Sequence, residues 1–300
     1  MMDETLVQGS LDTLRAGALQ VEGHGEENLF VELLHHVQDS HELEIPFLGH
    51  IELPQFTPFE IAGLTIDMSI TKHVFFLWFA ALLLCLLAIV AARKNRKHPV
   101  PTGFGNLVEV LVVFIRDQVV VPNMGSGGIR YMPYLLTTFF FILVMNLLGL
   151  VPFGASATGN VSTTAGLAII AFIMIQVAPI RTQGLGHYLA HLTGGVHWTL
   201  WPIMVPIEIL GLFTKPFALC IRLFANMTAG HIVIVSLIGL IFVFKSYIVA
   251  IAPVGFVLGI SLLELFVAVL QAYIFTILTA MFMGLGMQTE GHGEHVESGH

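Results

Sequence analysis

Residues 202–244 form a nearly unbroken apolar run of 43 residues, PIMVPIEILGLFTKPFALCIRLFANMTAGHIVIVSLIGLIFVF. As one helix the run would measure roughly 60 Å at about 1.5 Å per residue. That is about twice the 30 Å hydrocarbon layer of a bilayer. Such a helix must tilt strongly, bend near Pro216 or split. A second run, 251–287, is also longer than a perpendicular crossing needs. Two overlong neighbours read as a steeply tilted hairpin that covers a curved surface.

The rest of the chain agrees with a membrane protein. It is 56% hydrophobic and 11% charged, against about 25% charged in soluble domains. The formal net charge of −8 is unevenly spread, because thirteen of the twenty Asp and Glu precede residue 70. No basic footprint for nucleic acid exists. The two cysteines, Cys85 and Cys220, lie in apolar runs, which excludes a disulfide scaffold.

The expected fold is therefore an all-α polytopic membrane protein. It has five transmembrane helices and one interfacial amphipathic helix, the last two spans being long and strongly tilted. The spans fall at about 73–92, 133–153, 161–180, 202–244 and 251–287. Arg93, Lys94, Arg96 and Lys97 close the first span and mark its cytoplasmic end. Arg130 and Arg181 place the outer ends of the next pair on the same side. The N-terminus is then outside and the C-terminus inside. Residues 1–70 are an acidic extracytoplasmic tail of the composition that stays disordered, and 288–300 are a His/Glu/Gly-rich cytoplasmic tail. In 104–121, Asn106, Glu109, Arg116 and Asp117 fall within a stripe of about 100° on a helix. A charged stripe against lipid is costly, so this helix belongs at the cytoplasmic interface. No internal repeat of the kind that builds two-halved transporters is evident.

Very few ionisable groups remain inside the apolar runs. Arg222 lies seven residues past Lys215 and more than twenty before Lys245, too far from either end to snorkel easily. A central arginine costs about 2.5–3.5 kcal/mol on insertion scales. An arginine keeps its charge inside a protein, whereas a buried lysine can lose it. A fixed cation without a nearby acid points to a carboxylate supplied from elsewhere, or to a pairing with helix carbonyls. Asn226, one turn on, is placed either to orient the guanidinium or to bond a neighbouring helix. His231 is about 13 Å further along the helix, and histidine is the side chain suited to relay near neutral pH. Glu264 in the next run is the acid such a relay needs, with Gln271 seven residues later on the same face. Glu208 lies toward the cytoplasmic start of its helix. The chain order puts Glu208 on the inner side of Arg222, with His231 and Glu264 on the outer side. Two offset access routes fit this order better than a continuous pore. His187, His191, His292, His295 and His300 lack a compact third ligand or cysteine, so no metal and no cofactor is expected. No phosphate loop and no nucleophile–base pair occurs.

The segment Lys215–Gly230, KPFALCIRLFANMTAG, strongly resembles the signature of the a subunit of the F-type ATP synthase membrane sector. Its core runs from Arg222 to Asn226. Asn146–Phe153, NLLGLVPF, with Asn160–Ala168, and Gln271–Phe275, QAYIF, resemble two further blocks of that family in order. The resemblance covers about residues 70–287. It implies a stator subunit, not an enzyme by itself, that works against a ring of c subunits and is held by a peripheral stalk of b subunits in a bacterial plasma membrane. It implies that Arg222 faces the ring carboxylate and that Glu208 serves an inner proton half-channel. It also implies an outer half-channel at His231 and Glu264, which stand in the reverse of the family's order, with Asn226 and Gln271 as polar support. Two other classes compete: a self-contained ion or solute transporter, and a structural membrane scaffold.

Overall fold

The computed structural model describes strands between residues 42 and 66, then residues 71–97, 103–151, 157–186 with 188, 198–244 and 247–287. From Lys72 onward every described element is helical. They are α1 (Lys72–Lys97), α2 (Phe104–Ile115), α3 (Val121–Met124), α4 (Met132–Gly149), α5 (Val161–Gln183), α6 (Trp201–Phe244) and α7 (Tyr247–Met287). Five stretches among the described residues are long and apolar enough to span a membrane: Lys72–Lys94, Ser126–Gly149, Val161–Gln183, Trp201–Ile241 and Ile251–Met287. The protein is a multi-pass helical membrane protein.

Composition points to a disordered tail before residue 70, but two short hairpins stand there. β1 (Glu42–Ile45) pairs antiparallel with β2 (Gly49–Glu52), setting Leu43 opposite Ile51. β3 (Phe59–Ile61) pairs with β4 (Leu64–Ile66), setting Phe59 opposite Ile66.

The helix ends have local causes. The Asn160 side chain accepts a 2.8 Å hydrogen bond from Ser162 N–H and starts α5. Gly184, at φ 84°, ends it in a conformation that only glycine adopts cheaply. The second span, expected to reach Phe153, stops at Gly149. Leu150 and Val151 close with tighter bonds to Leu147 and Leu148, because Pro152 disfavours a helical conformation in the residue before it. Between α2 and α3 the backbone widens into a π-helical turn, Arg116–Val120. Pro122 would clash with a carbonyl four residues earlier in a regular helix, and the wider turn relieves this. Asn106, Glu109, Arg116 and Asp117 are all exposed. Arg116 Nε donates to Asp117 Oδ1 at 2.7 Å, and this bond, followed by the guanidinium charge, holds the Asp117 carboxyl below its ordinary range.

Contacts divide the chain into two units, His73–Met227 with Phe266–His300, and Met1–Lys72 with Thr228–Leu265. In the first, buried residues recur at helical spacing: Leu135, Phe139 and Ile142 on α4, Ala171, Ile175 and Ala178 on α5, Leu219 and Leu223 on α6, Ala272, Phe275 and Ala280 on α7. Lipid tails are as apolar as leucine, so close packing rather than water exclusion holds such helices together. Gly284 packs so tightly on the Asn123 backbone, and Gly286 on Pro179, that a β-carbon at either position would overlap its neighbour. The outward faces stay greasy: Leu82, Ile251 and Leu262 are 69%, 73% and 70% exposed.

α6 runs unbroken for 44 residues with Pro206 and Pro216 inside it, and α7 for 41. Of the three ways to accommodate the overlong run, splitting is not the one the chain takes.

Candidate functional site

In the first unit, the polar centre is built on α4, α6 and α7. Arg222 is exposed on α6 and has no hydrogen bond or ion pair among the described residues. One turn to either side, Ala218 and Ala225 are also exposed. Positions i−4 and i+3 share its face, so the guanidinium stands on a shallow strip of small side chains. Small residues let another helix come close.

Asn226 does not spend its amide on Arg222. Its Nδ2 donates to Gln271 Oε1 on α7 at 3.0 Å. Gln271 is 2% exposed, and its Nε2 is buried without a protein partner among the described residues. Turning the amide over would only change which atom is left over. An unmade bond of this kind costs about 1–3 kcal/mol, so the position is built for a water or an incoming polar group.

Asn146, fully buried on α4, carries no role in the sequence reading beyond its place in the NLLGLVPF block. Its Nδ2 donates to the Ala268 carbonyl at 3.2 Å, and its Oδ1 accepts from Thr158 at 2.9 Å. Ala268 lies one turn before Gln271, so Asn146 ties α4 to the segment of α7 that presents Gln271. The signal was a lone amide inside an apolar span.

Glu208 is half-buried on α6. Tyr188, beyond the end of α5, donates its hydroxyl to Gln176 Oε1. Burial, and then the charge of Glu208, push the Tyr188 phenol above its ordinary value.

In the second unit, His231 Nδ1 lies 3.1 Å from Glu264 Oε1. The Glu264 side chain is 5% exposed and that of His231 is 26% exposed. Gly230 makes this possible, since a β-carbon there would sit 2.6 Å from Glu264 Oε1. The tail histidines and His187 and His191 lie outside the described residues.

The profile of a family described as "ATP synthase A chain" matches residues 74–284. ATP synthase subunit a of Chloroherpeton thalassium is 53% identical over 274 residues, covering 90% of this chain and 80% of that protein. ATP synthase subunit a of Chlorobium phaeobacteroides shows the same identity and coverage. ATP synthase subunit a of Myxococcus xanthus is 50% identical over 276 residues, covering 88% of this chain and 91% of its own.

Proposed function

The chain belongs to the ATP synthase A chain family, and from that premise we propose that it is the stator that couples proton flow to rotation of a c-subunit ring. Held by a b-subunit stalk in a bacterial plasma membrane, it binds no nucleotide and forms two offset half-channels. The N-terminus lies outside and the C-terminus in the cytoplasm.

The observation that carries this reading is the exposed guanidinium of Arg222 in the middle of an apolar helix, without a partner among the described residues. A permanent charge in lipid costs about 2.5–3.5 kcal/mol. A carboxylate about 4 Å away returns on the order of 4 kcal/mol at an effective dielectric of about 20. The arginine is therefore stable when a ring carboxylate docks on it, and it draws that carboxylate into its ionised form. A proton cannot pass a fixed positive charge directly, so it must ride the ring from one half-channel to the other.

His231 and Glu264 would hand protons to the ring on the outer side, and Glu208 would receive them on the inner side. The order of these groups along the chain supports that assignment. Gln271, with its spare N–H, would steady a carboxylate or water beside Arg222.

The test is Arg222→Ala in the assembled complex. Proton-driven ATP synthesis should be lost while the complex still purifies intact. Normal synthesis would overturn the reading.

A further inference from the structure

The first unit holds a polar feature that the proposed function does not use. Gln176 and Gln183 lie seven residues apart on α5, about 20° from one another around the helix. Each has its amide nitrogen buried with no protein partner among the described residues. The Gln176 oxygen is already taken by the Tyr188 hydroxyl. Two unmade donors on one face cost about 1–3 kcal/mol apiece, and packing gives no return for them. Buried polar groups of this kind are met by ordered water, which makes about three hydrogen bonds.

The helix register says where such water would lead. Thr164 Oγ1 on α5 is 3.5 Å from Cys220 Sγ on α6. Further along, Phe172 stacks on Phe213 with centroids 5.4 Å apart. Eight residues forward on α5 thus match seven residues back on α6. One more turn brings Gln176 level with Ile209 and Leu210, directly beside Glu208 in the chain. The Glu208 charge also reaches the Tyr188 phenol.

We propose that Gln176, Gln183 and Tyr188 line a water inlet running from the end of α5 to Glu208. This rests on the reading of Glu208 as the inner proton group. Gln183 is the mouth, and Gln176 lies about 10 Å deeper along the helix. The Gln176 amide and the Tyr188 hydroxyl hold the last waters before the carboxyl. The Glu208 O–H bond breaks as its proton passes to such a water, leaving a carboxylate and a hydronium ion that relays past Gln183 to the inner side.

The experiment uses membranes that contain the assembled complex, with Cys85→Ala and Cys220→Ala as background. Gln176→Cys and Gln183→Cys are treated with a small membrane-impermeant methanethiosulfonate. Ile169→Cys and Ile173→Cys, on the exposed apolar face of α5, are the controls. Labelling at 176 and 183 but not at the controls is expected. An unlabelled 176, or equal labelling of all four, would overturn the inlet. In parallel, Gln176→Leu should slow passive proton flow by roughly tenfold, while Gln176→Glu retains it. Tyr188→Phe, which deletes one hydroxyl, should also slow it. Unchanged flow in both Gln176→Leu and Tyr188→Phe overturns the proposal. Labelling is read whether or not the chain drives rotation, so a failed inlet is distinct from a failed Arg222 test.

Discussion

His231 Nδ1 and Glu264 Oε1 lie 3.1 Å apart although 33 residues separate them in the chain. One comes from α6 and the other from α7, and both face the same buried spot. If the pair serves as one acid–base unit, as the proposed function has it, both groups must be present. Which helix carries which group matters less.

The first prediction follows. His231→Glu and Glu264→His should each impair proton-driven ATP synthesis alone, because each leaves two like groups in contact. The double exchange should recover a substantial part of the rate. Synthesis measured in membrane vesicles decides it, and a double variant no better than the worse single one counts against a shared unit.

Gly230 is predicted to be intolerant of a side chain. A β-carbon would sit 2.6 Å from Glu264 Oε1, so Gly230→Ala must push the carboxylate away from His231. Proton flow should fall while the complex still assembles. Ala229→Gly, one residue away on an exposed position, should leave flow near normal. Equal effects from the two substitutions would show that the close approach is not functional.

Asn146 is predicted to matter for stability first and for conduction second. Asn146→Leu removes both the bond to the Ala268 carbonyl and the one accepted from Thr158. Each lost hydrogen bond is worth about 0.5–1.5 kcal/mol. The loss should appear as a lower midpoint for thermal dissociation of the complex. Thr158→Val, which keeps the bond from Asn146 to the Ala268 carbonyl, should cost less.

Gly284 tests the packing of α7. Gly284→Ala places a methyl against the Asn123 backbone, which cannot swing aside as a side-chain tip can. Assembly should drop sharply, as judged by the amount of intact complex in membranes. Gly259→Ala on the same helix meets nothing within 4 Å and should assemble normally.

The apolar runs on α6 and α7 could be read from sequence because transfer into lipid is close to a sum over residues. The sum needs no knowledge of neighbours, and five long apolar helices result among the described residues. Arg222 stood out for the same reason, since its cost in lipid is its own. The partner of Asn226 was not readable in this way. Sequence left open a bond to Arg222 or to a neighbouring helix, and the structure sends the amide to Gln271. Nor was the π-helical turn at Arg116–Val120, which depends on how Pro122 meets the turn before it. The hairpins within residues 42–66 escaped because pairing requires two segments to find one register.

By itself the sequence determined that the chain crosses a membrane on long helices, with a fixed charge at Arg222 between Glu208 and His231. The tertiary structure decided that Asn226 binds Gln271, and that, among the described residues, Arg222 is left without a partner and Gln176 and Gln183 keep buried donors unmet. Hydropathy adds residue by residue along the chain. A hydrogen bond between helices depends on the rotation and register of both, which close packing at positions such as Ala272 and Gly284 sets only once the helices have met.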